Sequence, residues 1–345
     1  MPCSFFGLPL WKGRLAGWTI KPAKMITGTR YSTSRSDMAK FPYIPFSFNV
    51  TPASPPFQLS PIASNISQGW VPSCSAPDRV PIASWSTGSV GATLAFQFWG
   101  WDVAFDGNVK GNMSIELLRN GVKETWNPSA DTLFSSQGQP NNDPYLQNIT
   151  LKVLDASPDA ELTIKQAQVN GSSFTDVSWN LERWIIPSND TRLSYTGFVQ
   201  RASAAQAGSQ TTYVSSQAGD SMSMQFNGST LLLHGPCGPT NGLMKVKIDD
   251  YESTVNTSKP IPSNDCLLFQ AWGIPRTKMH ELLVENVDGA TLGIERIEFF
   301  WSDEYHQETH GRSNATVAIA VVAVAVFISI LVVSVIYLIT SKHEE

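Results

Sequence analysis

The chain has 345 residues, with 24 Lys and Arg against 29 Asp and Glu and a formal net charge of −5. Residues 1–40 hold seven basic groups and one acid, or +6, so residues 41–345 carry −11. An acidic chain without a run of Lys and Arg repels phosphate backbones, which excludes nucleic acid as a partner.

Residues 1–40 stand apart from the fold as a leader. Their only apolar stretch, Ser4-Phe-Phe-Gly-Leu-Pro-Leu-Trp11, is broken by Gly7 and Pro9 and makes a poor signal peptide. Lys12, Arg14, Lys21, Lys24, Arg30, Arg35 and Lys40 against Asp37 give the composition of a mitochondrial presequence. A tail-anchored orientation is a second alternative. A first exon standing in for the true signal peptide fits the remainder of the chain best.

From residue 41 the pattern is strand after strand. Leu94, Phe96 and Phe98 alternate with Thr93, Ala95 and Gln97, and Met113, Ile115 and Leu117 alternate again. The rhythm then recurs. Gly91 to Gly107 aligns without gaps on Gly219 to Gly235, with Gly, Gln, Phe, Gly and Gly identical. Trp85 falls on Tyr213 in the same register. After a three-residue insertion holding Cys237, Gly111–Leu117 aligns with Gly242–Ile248. Leu133-Phe134 matches Leu268-Phe269, Leu151–Val153 matches Leu282–Val284, and Leu162–Ile164 matches Leu292–Ile294. Apolar spacing outlasting identity is the mark of a duplicated fold.

The predicted fold class is therefore all-β: two tandem jelly-roll β-sandwich domains followed by one transmembrane helix. The first domain is predicted over 41–178 and the second over 185–303. Trp179 and Trp184 are expected to pack between them.

The repeated glycine, Gln-Phe and hairpin pattern, the Lys245-Val-Lys-Ile-Asp-Asp250 strand and His280-Glu-Leu-Leu-Val284 resemble a galactose-binding-like jelly roll. Tandem copies ahead of a single apolar helix resemble a large group of fungal single-pass surface membrane proteins. The resemblance spans about Pro42–Tyr305 and the helix. It implies architecture and a bias toward glycan binding, and it implies no catalytic residue.

Four Cys are present: Cys3, Cys74, Cys237 and Cys266. In an oxidising compartment Cys237 and Cys266 are the natural pair. Cys74 is left odd, to be buried, paired with Cys3 or joined to another chain. No Cys and His spacing points to a metal, and no motif points to a cofactor.

Signatures of catalysis are absent as well. There is no Gly-X-Ser-X-Gly elbow and no Gly-rich phosphate loop. His306-Gln-Glu-Thr-His310 places Glu308 one position late for a zinc-protease helix and reads as stalk. Asp249 and Asp250 are adjacent at a strand end, where consecutive side chains point to opposite faces, so they read as a turn. His234 and His280 read as structural. Trp99 aligns with Asn227, a sequon that must be exposed if it carries a glycan. By that analogy Trp99 and Trp101 are expected on an exposed hairpin beside Asp102, as a surface on which a sugar could stack. The competing expectation is that these rings pack on a neighbouring loop or domain.

Residues 304–316 form a stalk, and Val317–Thr340 is a run of 24 residues without a charge. A helix of that length crosses a ~30 Å hydrocarbon core, so the bilayer is a predicted partner. Residues 341–345 remain as a short cytoplasmic tail, and their polarity argues against a cleaved lipid-anchor signal. Asn-X-Ser/Thr sequons begin at Asn49, Asn65, Asn112, Asn148, Asn170, Asn189, Asn227, Asn256 and Asn314. Nine is well above the roughly three that chance provides. The expectation is a type I membrane glycoprotein with its bulk extracellular or lumenal. It is predicted to be non-enzymatic and to engage carbohydrate, cell wall or another surface protein. The alternatives are a tethered glycan-processing enzyme and a structural spacer.

Overall fold

Alternating apolar residues and frequent turns make the described part of the chain all-β. A computed structural model describes residues 47–73, 84–100, 102–136, 146–170, 181–201, 211–275 and 278–302, and these contain strands and no α-helix. Among the described residues no helix is long and apolar enough to cross a membrane. The predicted span Val317–Thr340, the stalk, the leader and the tail all lie outside them.

The first strands are β1 (Phe48–Val50), β2 (Phe57–Ser60), β3 (Val71–Ser73), β4 (Ser84–Thr87), β5 (Thr93–Trp99) and β6 (Val103–Lys110). They continue with β7 (Met113–Arg119), β8 (Val122–Lys123), β9 (Thr132–Ser136), β10 (Leu146–Ala156) and β11 (Glu161–Val169). One sheet runs β3-β4-β11-β6-β9 with β1 on β11, and the facing sheet runs β2-β5-β10-β7-β8. Between them lies an aromatic core containing Phe57, Phe96, Phe98, Phe105, Trp70 and Trp85, each at most 2 % exposed.

The second set opens with β12 (Leu181–Pro187), β13 (Ser194–Thr196), β14 (Val199–Arg201), β15 (Thr212–Ser215), β16 (Ser221–Phe226) and β17 (Thr230–Cys237). It ends with β18 (Leu243–Ile248), β19 (Tyr251–Asn256), β20 (Ser263–Trp272), β21 (His280–Asn286), β22 (Leu292–Ile294) and β23 (Arg296–Ser302). Its sheets run β12-β23-β17-β20, β13-β16-β21-β18-β19 and β14-β15-β22. Strand for strand this is the first order again, with the last strand divided in two.

Registers confirm the duplication residue by residue. Trp85 pairs with Ile164 and Tyr213 with Ile294; Phe105 pairs with Phe134 and Leu233 with Phe269. Ile115 pairs with Val153 and Val246 with Val284. The bulge between Ile164 and Gln166 in β11 becomes the break at Glu295 between β22 and β23. Gly107 lies against the carbonyl of Thr163, and Gly235 against that of Gly293, so a side chain at either position would collide with backbone. One register differs. Leu94 pairs with Leu151, whereas Met222 pairs with Val284, a two-residue slide that keeps every side chain on its face.

Within the sheet β12-β23-β17-β20, the strands β23, β17 and β20 are covered on both sides. Leu231, Leu233, Ile297 and Phe299 join the second core, while Leu232, Leu267 and Phe300 join the first. The buried run Leu231-Leu232-Leu233 suits a strand with no solvent face. Trp184 is 52 % exposed, so the expectation that it packs away between the sandwiches is corrected; Trp179 lies outside the described residues.

Candidate functional site

Trp99 ends β5, and the second strand set holds it in place. The Trp99 N–H donates to Gln270 Oε1 at 2.9 Å, and Gln270 Nε2 donates back to the Trp99 carbonyl at 2.7 Å. Two further bonds cross the same junction. The Leu267 N–H donates to Ser54 Oγ at 3.1 Å, and Lys259 Nζ donates to the Phe57 carbonyl at 2.6 Å. Burial pushes the Lys259 ammonium down to about 8. Trp99 is half-buried at a seam within the molecule.

Asp102 is only 2 % exposed. Its N–H donates to Asn170 Oδ1 at 3.3 Å, and its carbonyl accepts from the Asn170 N–H at 2.9 Å. The expected exposed acid beside Trp99 is therefore corrected: Asp102 is buried where β6 begins, bonded through its backbone to Asn170 at the end of β11. Trp101 lies outside the described residues.

The sequons divide by exposure. Asn49, Asn65, Asn112, Asn189, Asn227 and Asn256 are exposed, and Asn148 is half-buried. Asn170 is 9 % exposed, with its side chain turned to the Asp102 backbone, so the fold withdraws this asparagine from the surface. Asn314 lies outside the described residues. Cys237 and Cys266 form the predicted disulfide between β17 and β20, with Cα atoms 6.0 Å apart. Cys3 and Cys74 lie outside the described residues.

Asp249 and Asp250 form the β18–β19 turn. Asp249 adopts φ 50°, and its carboxylate meets Lys278 Nζ at 2.8 Å, the Glu281 N–H at 3.0 Å and His280 Nδ1 at 2.7 Å. Lys278, the Glu281 amide and His280 together hold this carboxyl well below the usual carboxylate range. His280 Nε2 faces the Pro275 carbonyl. On the opposite sheet, Glu298 is 1 % exposed. Arg183 Nη2 donates to it at 2.6 Å and Arg296 Nε at 2.9 Å. Burial raises the Glu298 carboxyl, and the His234 ring, Arg296 and Arg183 outweigh that, leaving it below its ordinary value. Arg296 also binds Asp265 at 2.9 Å and donates to His234 Nδ1 at 3.0 Å. The Asp249 and Glu298 carboxylates are thus each paired with cations of their own cluster.

An open groove of about 660 Å³ lies on the first strand set, beside the turn from β6 to β7. Trp126, Val109, Met113, Pro128 and Ala156 supply its apolar wall, and Asn112, Ser114, Asp155 and Ser157 its polar one. Trp126 is half-buried, packs on the first core and lines the groove. Asp155 is exposed, following a bulge between Val153 and Asp155 in β10. The Ser157 N–H donates to the Asn112 carbonyl at 2.9 Å, and the Asn112 N–H to Ser157 Oγ at 3.2 Å, so both rims are tied together. An amphipathic ring beside a carboxylate, hydroxyls and an amide can hold a sugar: its CH face stacks on the indole while its hydroxyls bond to the acid.

Sequence reasoning missed this groove. Trp126 stands in Lys123-Glu-Thr-Trp-Asn-Pro-Ser129, a segment without a period-2 partner. The available signal was a tryptophan placed where no strand requires one.

No protein-family model and no curated protein matches the chain. Solved structures with similarity include a family two carbohydrate esterase from Cellvibrio japonicus, 13 % identical over 35 % of this chain and 34 % of that one, with a TM-score of 0.28. The tandem CBM22-1-CBM22-2 domain from Paenibacillus barcinonensis Xyn10C is 12 % identical over 68 % of this chain and 93 % of that one, with a TM-score of 0.24. A Paenibacillus xanthan lyase is 11 % identical over 67 % and 25 %, with a TM-score of 0.27. This chain spans about a third of the esterase and a quarter of the lyase. Carbohydrate-binding and carbohydrate-processing proteins are thus among its neighbours, but similarity at this level assigns neither a family nor a ligand to this chain.

Proposed function

We propose that the chain is a single-pass type I membrane glycoprotein whose all-β ectodomain binds carbohydrate without transforming it. The observation that carries this reading is the Trp126 groove, where one indole and one carboxylate flank an open, sugar-sized depression. The uncharged run Val317–Thr340 supports the membrane anchor, and six exposed sequons support an extracellular or lumenal bulk.

The alternative of a tethered glycan-processing enzyme needs two carboxylates facing across a cleft. Asp249 is taken up by Lys278 and His280, and Glu298 by two arginines, so neither is offered to a substrate. The non-enzymatic reading is the one carried forward.

Full-length protein in detergent, tested against a panel of cell-wall polysaccharides and glycans, examines it directly. Binding that Trp126→Ala abolishes and Trp99→Ala retains is the expected result. Retention of binding by a folded Trp126→Ala protein would remove the groove from the reading. Absence of any binding both by the native protein and by the protein freed of its N-glycans would leave a protein partner or a spacer.

A further inference from the structure

The groove contains an acceptor site of its own. Asn112 opens the sequon Asn112-Met-Ser114, and all three of its residues line the groove. The backbone on each side is fixed. Gly111 turns the chain at φ 69°, and Asn112 is bonded through both its N–H and its carbonyl to Ser157. The Asn112 and Ser114 side chains are exposed, as an acceptor amide and its hydroxyl must be. A substituent on Asn112 therefore starts from the wall of the groove that Trp126 also lines.

We infer that the chain's own Asn112-linked glycan seats its first N-acetylglucosamine against Trp126 and thereby screens the groove from external carbohydrate. Transfer from a lipid-diphosphate oligosaccharide makes the bond from Asn112 Nδ2 to the sugar's anomeric carbon. The bond from that carbon to the diphosphate oxygen breaks, and the amide proton leaves with the released diphosphate. The chemistry of the seat suits the first residue of such a glycan. Its apolar face and acetyl methyl meet Trp126, Met113 and Pro128, and its hydroxyls meet Asp155 and Ser157. Because the occupant is covalently attached, its effective concentration at the groove far exceeds that of a free sugar. Occupancy of one sequon would then set how much of the protein can bind.

This inference rests on the groove being a sugar site, and the two fail separately in one experiment. Full-length native protein is compared with Ser114→Ala, which removes the sequon and keeps Asn112, and with Asn112→Gln as a second variant. Glycopeptide mass spectrometry reads occupancy at Asn112. Oxidative footprinting with peptide mapping reads the access of reagent to Trp126. The expected result is an occupied Asn112 and Trp126 oxidation several-fold faster in both variants, with Asn227→Gln unchanged from native. An unoccupied Asn112, or equal oxidation of Trp126 with and without the glycan, overturns the inference. Polysaccharide binding by the same variants should rise above native. If Trp126 is unmasked but neither the variants nor native protein freed of its N-glycans by enzymatic deglycosylation, which leaves Ser114 in place, binds polysaccharide, the glycan's seat stands and the carbohydrate-binding function falls.

Discussion

The strands β6 and β17 hold the same place in the two strand sets but are buried differently. In β6, Val103, Phe105 and Gly107 face the core while Ala104, Asp106 and Asn108 are partly exposed. In β17, Thr230 to Gly235 are all buried. The cause lies outside either strand: β17 sits in a sheet with its own core on one side and the first strand set on the other. One inherited backbone thus serves as a two-layer element in one copy and as the middle of a stack in the other. The composition of each strand follows the number of faces it must hide.

Mutation at the equivalent positions Leu232 and Ala104 is the strongest way to break this comparison. Leu232 is 0 % exposed and belongs to the first core, so Leu232→Ala is expected to cost about 2–5 kcal/mol in urea unfolding. Ala104→Ser should change stability by less than about 0.5 kcal/mol. Similar losses at the two sites would mean that β17 has a free face after all.

The disulfide provides a smaller effect, since it closes a 29-residue separation within the second set. Replacing both Cys237 and Cys266 with Ser is expected to cost roughly 3 kcal/mol in the chain-entropy picture. Hydrogen exchange should show protection lost first in β17 and β20 and last in β5 and β10. Uniform loss across both sets would show that the junction couples them into a single cooperative unit.

The smallest effect concerns Lys259 at the junction. Burial lowers its folded value to about 8 from an ordinary 10.5, so the fold disfavours the ammonium. The sign follows: that penalty is present in full below pH 8 and is relieved as pH rises toward 10.5. Native protein should therefore gain stability relative to Lys259→Met between pH 8 and pH 10.5, read from paired denaturation midpoints. A difference that stays constant with pH would show that Lys259 is well solvated.

Much of the fold was legible because a strand declares itself locally. Met222, Met224 and Phe226 point one way whatever they pack against, and the repeat of that rhythm after Leu94, Phe96 and Phe98 marked the duplication. The pairing of Cys237 with Cys266 was legible too, since an oxidising compartment left them as natural partners. The site was less legible. Trp99 alternates outward from its strand, and its position alone did not show that Gln270, 171 residues away, would clamp its backbone. Asp102 looked like a surface acid because nothing local in the sequence shows that the start of β6 is buried and bonded to Asn170, 68 residues away.

By itself, the sequence determined the all-β class, the two-fold repetition and the disulfide, because each rests on local alternation or on the chemistry of a few residue types. Tertiary structure alone decided which faces are hidden twice, which sequons reach the surface and which tryptophan lines a groove. Those properties belong to pairs of residues far apart in the chain. Their distances are set by how the sheets stack, and no periodicity within a single strand encodes that stacking.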